Sequence, residues 1–468
     1  MTTRRDFVKK TLTGSTLLYT FGVPYSFQAK NNRKRKKSHE KLRIIIETDA
    51  GGDPDDEQSL VRFLLYADMF DIEGIIANRK IARTPENKNP VRDGLGIVKA
   101  FIEAYAECHP NLILHARDYP EPEYLFQRTV PGYEDTDDGV NLIIASVDST
   151  DPRPVWFCNW GTDHGSSESC MKRALDKILA ERGPERYAKF KSRICLSSAD
   201  KFEEHTTTIA PPFPFWIDTW RPPVDGKRWY HRFSPLASSA GGFNIEADVR
   251  NGHGPLGKLY PLNTNYPQKE GDTMSFLYLV PTGMNDPYEP GWGSWVGRYG
   301  LNEEHPGKNY YWANQQDKWN GTTNRDNMLE RWAEAFQNDF RARMDWCVKD
   351  YGDANHHPVA ILNGRESPGI IHISAKSGWM VRLNAGGSFD PDGRKLIPKW
   401  FVYNEAGTFR GEIALGGTDS LKASFNAPAV EKTETIHVIF ELKNEGDPPL
   451  YSYGRVIITV TPRMTSHQ

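Results

Sequence analysis

Between residues 41 and 78 the chain reads KLRIIIET, then DDEQSLVRFLLYADMF, then FDIEGIIAN. The first and last are short apolar runs bounded by polar residues. The middle one has apolar residues at helical spacing and acids in its first turn. The alternation continues: VRDGLGIVKAFIEAYAECHP reads as a helix, RPVWFCNW as a strand, SSESCMKRALDKILAERG as a helix and RICLSSAD as a strand. Strands that take turns with helices need crossover connections. The pattern therefore predicts an α/β unit, a mostly parallel sheet with helices on both faces. In such sheets ligands sit beyond the carboxyl ends of the strands. From about residue 200 to 325 the pattern is less regular and rich in Trp, Pro and Gly, as functional or inserted segments are. MLERWAEAFQNDFRARMDWCVKDY reads as a long closing helix.

After Tyr351 the period changes to two. NHHPVAILNG, IHISAKSGWMVRLNA, KWFVYNEAG, TIHVIFEL and GRVIITVTP are short alternating runs separated by turn chemistry such as FDPDGRKL. They predict an all-β, Ig-like sandwich, with His356, His357 and Pro358 at the boundary. A length of 468 residues suits two or three units rather than one core. The expected layout is a signal segment at 1–30, a basic linker at 31–40, the α/β domain at 41–350 and the sandwich at 355–468.

TTRRDFVKKTLTGSTLLYTFGV pairs Arg4 and Arg5 before a moderately apolar run, with Phe7 and Lys9 completing a pattern similar to a twin-arginine export signal. A periplasmic or secreted protein is the expectation, with no membrane span in its mature form, since the run is short and polar for one. NNRKRKK at 31–37 reads as a solvated linker. A net charge of -3 gives no argument for nucleic acid or a membrane surface. The five cysteines form no CxxC pair and no metal spacing, and so odd and sparse a set predicts buried thiols with at most one or two disulfides. Thirteen Trp and 20 Tyr suit either sugar faces or large cores. Oligomeric state is not readable.

The chemistry concentrates at the end of the first strand, in ETDAGGDPDDEQS. Asp and Glu at a helix start favour its dipole, which accounts for Asp55 and Glu57. Glu47 and Asp49 lie in or just after the strand, where that explanation does not reach. Crowded like charges repel, and a cation among them removes the cost. Oxygen ligands without His or Cys point to calcium or magnesium. Gly51 and Gly52 allow a tight turn that folds Asp49 back towards Asp56.

This stretch resembles the N-terminal calcium motif of nucleoside hydrolases, D-x-D-x-G-x-D-D, with Glu47 for the first acid and two extra residues before Asp55. More broadly, GGDPDDEQSLVRFLLYADMFDIEGIIAN, GHGPLGKLYP, EGDTMSFLYLVPTGMNDPYEPGWGSWVGRY and AGGSFDPDG resemble the nucleoside hydrolase-like proteins described as cellulose-binding. The resemblance implies Ca2+ as cofactor, with Asp49, Asp56, Asp272 and the Trp160 carbonyl as its ligands. It also implies Asp49 as the catalytic acid that meets the attacking water, with Asp55, Asn78 and Asn244 as sugar contacts. Gly242 replaces the acid that usually precedes the Phe243-Asn244 pair. Gly271 stands where one class of the family keeps a histidine before the late calcium acid, which shifts the expected ligand from a nucleoside to a saccharide.

His253 in NGHGPLG is read either as a loop histidine or as a substrate contact and proton donor. Glu270, Asp286 and His253 are the candidates for a leaving-group acid. EDTDDGVNL is read as helix capping and SFDPDG as a turn. Ser, His and Asp in TDHGSSES are too close in sequence for a triad. Two functions follow: an exported, calcium-dependent hydrolase of glycosidic bonds, or a polysaccharide-binding protein that kept the fold without the chemistry.

Overall fold

The structure, a computed structural model, describes residues 40–161, 168–198, 212–219, 233–263, 267–366 and 369–463. The expected export signal, the basic linker up to residue 39 and most of TDHGSSES lie outside the described residues.

Eight strands form one sheet: β1 Leu42–Thr48, β2 Phe70–Ala77, β3 Thr129–Pro131, β4 Val155–Trp160, β5 Ile194–Ser198, β6 Phe215–Asp218, β7 Gly300–Leu301 and β8 Tyr310–Trp312. Their order is β3-β2-β1-β4-β5-β6-β8-β7, and every pairing is parallel except β7 with β8. The crossovers include α1 Asp55–Leu65, α2 Gly94–His115, α3 Pro122–Gln127, α4 Asp138–Asp148 and α5 Cys170–Lys191. The expected α/β architecture is therefore present.

The run IIIET explains itself in this setting. Ile44 and Ile46 bury against α1, α2 and the closing helix Asn327–Trp346, while Ile45 points to the opposite face among residues of α4 and α5. A strand covered on both faces must be apolar at every position. Each fully buried isoleucine contributes about 1.5–3 kcal/mol. The sheet order turns at β1, which pairs β2 on one side and β4 on the other. That is the topological switch point where doubly wound sheets open a crevice.

The second unit is strand-rich. Ile371–Lys376, Tyr451–Thr461, Glu434–Asn444 and Leu396–Val402 form a four-stranded sheet in that order, and Met380–Asn384 pairs with Lys422–Asn426 in a second. Trp400, Phe425, Val438, Phe440 and Ile458 fill the space between them. The run IHISAKSGWMVRLNA divides at Ser377 and Gly378 into two strands that belong to different sheets. SFDPDG is a turn, with Asp390 accepting from the amides of Asp392 and Arg394. EDTDDGVNL departs from its reading: the first turn of α4 has no side-chain cap, and Asp137 instead pairs with Arg173 and Lys177.

Candidate functional site

β1 ends at Thr48, and the chain must reverse within a few residues to start α1 at Asp55. Gly51 adopts φ +95°, which a side chain would strain. A Cβ on Gly52 would lie 2.9 Å from Asp49 Oδ2, so only glycine lets that carboxylate fold back. The Gly52 amide donates to the Asp49 carbonyl at 2.9 Å and closes the turn. The carboxyls of Asp49 and Asp56 come within hydrogen-bonding reach of each other. Thr48 Oγ1 donates to Asp56 Oδ1 at 2.5 Å and receives the Ala50 amide at 3.1 Å.

The late acid arrives from far along the chain. Gln58 of α1 holds the approaching segment: its amide nitrogen donates to the carbonyls of Pro261 and Pro267, and its oxygen accepts from the amides of Lys269 and Glu270. Asp272 then starts the short helix Thr273–Leu277 without capping it through its side chain. Trp160 fixes that helix start. Its indole donates to Ser275 Oγ at 2.8 Å, and Ser275 donates to the Asp272 carbonyl at 2.7 Å. Trp160 is the register partner of Thr48, so its carbonyl stands at the same sheet edge as the acids.

The outcome is a knot of buried acids. Asp55, Asp56 and Asp272 each place a carboxylate oxygen within 4.8 Å of the others, and all three are buried. Among the described residues, Arg79 Nη2 meets Asp49 Oδ2 at 2.6 Å, and Lys269 Nζ is shared between Asp55 Oδ2 at 2.9 Å and Asp53 Oδ2 at 2.7 Å, whereas Asp56 is in no ion pair. Burial first, and then the charges of Asp272, Asp49 and Asp55, push the Asp56 carboxyl well above the usual range. Burial also raises Asp55 and Asp49, against the pull of Lys269 and Arg79 respectively. An all-oxygen donor set of crowded, buried carboxylates fits one hard divalent cation.

The structure brings Asp49, Asp55, Asp56, Trp160, Asn78 and Asp272 to one edge. Asp55 lies with Asp56 and Asp272, and Asp49 stays within hydrogen-bonding reach of Asp56 while pairing with Arg79. Asn78 is buried just past β2, and its amide donates to Glu47 Oε1 at 2.8 Å. Glu47 also accepts from Ser169 Oγ and the Cys170 amide, so it ties β1 to the start of α5. Glu57 accepts from Asn87 and Asn89 and pins the loop after β2.

Four residues are not brought there. Asn244 is exposed, and its side chain accepts from the amides of Glu246 and Ala247, capping the turn Glu246–Arg250. Its neighbour Phe243 is core, stacked on Phe340. His253 contacts Asp345 on the closing helix at 3.2 Å. It precedes Gly254, which packs beside Cys108, whereas the Gly94 amide at the start of α2 meets the Arg79 carbonyl. Cys108 stands roughly 20 Å down α2 from Gly94, at about 1.5 Å per residue. Glu270 is fully buried with Arg62 at 2.5 Å and also accepts from Tyr260, Gln268 and Thr273. Asp286 lines a cavity with Leu42, at the opposite end of β1. Sequence reasoning missed Arg79, Lys269 and Gln58. Arg79 directly follows Asn78 at a strand end, and Lys269 lies three residues before Asp272, positions that carry a signal only once the sheet edge is known.

With this geometry in place, the comparisons have a clear reading. Residues 43–299 match the family described as cellulose-binding Sde182, nucleoside hydrolase-like domain, and residues 380–460 match the C-terminal domain of cellulose-binding protein Sde0182. A solved structure from Saccharophagus degradans, a nucleoside hydrolase-related hypothetical protein associated with carbohydrate metabolism, is similar over 90% of this chain and 100% of its own, at 31% identity and TM-score 0.71. The effector protein XOO4466 aligns over 65% of this chain and 95% of its own at 10% identity and TM-score 0.33, too distant to support an argument. No curated protein matches. The first family spans more than half of the chain and covers the whole acid turn, so this chain belongs to the cellulose-binding, nucleoside hydrolase-like family.

Proposed function

We propose that the protein is an exported, calcium-dependent hydrolase of glycosidic bonds whose substrate is a saccharide. The observation that carries this is the convergence of the buried carboxylates of Asp55, Asp56 and Asp272 at the switch point of the sheet. Asp55, Asp56, Asp272 and the Trp160 carbonyl are the residues to hold the ion, with Asp49 beside them. A bound calcium would supply positive charge among these acids and acidify water next to it. Asp49, oriented by Arg79, accepts the proton of the attacking water. Asp55, oriented by Lys269, accepts hydrogen bonds from ring hydroxyls. The remaining carboxylates stabilise the positive charge that develops on the ring as the bond to the leaving group stretches. Glu270, His253 and Asp286 are no longer candidates for the leaving-group acid, being engaged elsewhere. The test is release of reducing ends from plant or algal polysaccharides, and of base from nucleosides, with calcium and with chelator. Product that requires calcium and falls by about 100-fold or more in Asp49→Ala supports the proposal. Product that is unchanged in Asp49→Ala sinks it.

A second reading is a non-catalytic polysaccharide-binding protein. The family description as cellulose-binding favours it, as does the tight Arg79 contact on Asp49. Retention on cellulose with no product across the panel decides for this reading.

A further inference from the structure

The side of the closing helix that faces the sandwich carries Arg331 and Trp332, and Trp332 packs against Phe401, Tyr403 and Tyr453. Beside this seam a groove of about 210 Å³ opens between the hairpin strand Asp317–Trp319 and the sandwich strand Leu396–Val402. Lys318, Trp319, Arg331, Lys399, Phe401 and Glu441 form its walls. It shares no residue with the acid cluster.

Arg331 is already committed. Its guanidinium lies 5.1 Å from the Trp319 ring, 5.4 Å from Phe401 and 4.5 Å from Tyr403, and it pairs with Asp317 at 3.2 Å. This packing fixes the two half-buried rings, Trp319 and Phe401, as platforms at the groove. Glu441 is different. Its side chain is 18% exposed, and its contact with Lys399 is 4.0 Å, longer than a hydrogen bond. Among the described residues nothing donates a hydrogen bond to its carboxylate, which is open to solvent at the groove and free to accept from a ligand. Lys399 and Lys318 add ammonium donors on exposed stems.

Two aromatic faces, a carboxylate with open acceptor sites and two ammonium donors match the chemistry of a pyranose. Its C–H face packs on aromatic rings, and its hydroxyls donate to a carboxylate and accept from ammonium groups. The volume is below the few hundred Å³ of a pocket that encloses a whole ligand, so it suits one ring of a longer chain. A sugar carboxylate placed at Glu441 would be repelled, whereas a neutral ring meets Glu441, Lys318 and Lys399 alike through its hydroxyls.

We infer that this groove is a non-catalytic subsite that holds one neutral pyranose ring of a glucan chain between the two domains. It rests on the ligand being a carbohydrate and does not depend on hydrolysis. The experiment measures depletion of the full chain by insoluble cellulose and its retardation in gels containing soluble glucan. Wild type, Trp319→Ala, Glu441→Gln and the surface control Asn244→Ala are compared, with thermal unfolding to verify folding of each. Glu441→Gln preserves shape should Trp319→Ala disturb the hairpin. The expected result is roughly tenfold weaker binding in both groove variants and wild-type binding in Asn244→Ala. Wild-type binding in both groove variants overturns the inference, as does an equal loss in Asn244→Ala or no retention of the wild type. If hydrolysis fails in every assay while binding still follows Trp319 and Glu441, the hydrolase proposal falls and the subsite stands.

Discussion

Asp56 and Asp339 are both buried aspartates, 3% and 1% exposed, in opposite electrostatic company. Burial alone raises the pKa of each, but at Asp339 it is outweighed by Arg343 and then His357, which hold that carboxyl well below its usual range. His357 Nε2 meets Asp339 Oδ1 at 2.5 Å and Arg343 bridges Asp339 to Asp68. At Asp56 the next-largest influences after burial are other acids, and the carboxyl rises instead. The difference lies in the company each carboxyl keeps. At the closing helix Asp339 has Arg343, as Glu270 has Arg62. At the carboxyl edge of the sheet Asp56 faces other acids and, among the described residues, is in no ion pair, which costs stability unless positive charge is brought to it.

The comparison breaks most visibly by removing one half of a matched pair. Arg62→Met strands Glu270 in the core and should cost about 3–5 kcal/mol in denaturant unfolding. Asp56→Asn, measured in chelator, should cost nothing or stabilise slightly, because it relieves repulsion. A large loss in Asp56→Asn under chelator means that the acid cluster is balanced after all. An intermediate effect is expected for Asn78→Ala, about 1–3 kcal/mol, since Glu47 loses one of its donors in a buried setting. Loss of cellulose binding with no change in unfolding would instead place Asn78 in direct ligand contact.

The pH dependence should differ in sign between the regions. A carboxyl whose folded pKa is raised, as at Asp56, adds stability below the unfolded value of 3.8 and loses it as pH rises through the folded value. A depressed one, as at Asp339, adds stability above 3.8 and loses it as pH falls towards its folded value. In chelator, wild type should therefore lose stability relative to Asp56→Asn as pH climbs from about 4, by about 1.4 kcal/mol for each unit of pKa elevation. His357→Ala should remove much of the loss on acidification. Parallel pH curves for wild type and Asp56→Asn would deny that Asp56 is elevated. The smallest effects belong to Asn244→Ala and His253→Gln. Both should leave calcium response and saccharide turnover unchanged and cost about 1 kcal/mol or less of stability, from the lost cap and the lost Asp345 contact.

What the sequence showed, and what it hid, follows from locality. β1, α1, α2, β4 and the closing helix each announce themselves by periodicity within a dozen or so residues, so the doubly wound sheet was legible. So was the acid turn, since Gly51, Gly52, Asp55 and Asp56 are close in sequence. The cations were not. Lys269 reaches Asp55 across more than two hundred residues, and Arg79 reaches Asp49 only because β2 lies beside β1. Asn244 rests on motif likeness and His253 on its residue type alone, both in an irregular segment where no periodicity fixes which way a side chain turns. The structure commits them to a cap and to the closing helix. Glu270 carried the same ambiguity: a polar residue near Asp272 in sequence, it turned out to be the partner of a buried arginine.

We propose Asp55, Asp56 and Asp272 as the core of a divalent-cation site. A calcium titration followed by thermal unfolding tests it most directly, with magnesium as comparison and with Asp56→Asn and Asp272→Asn beside the wild type. The expected result is a saturable rise in the wild-type unfolding temperature with calcium that is absent in both variants. A wild type indifferent to calcium, or variants that respond as the wild type does, would contradict it.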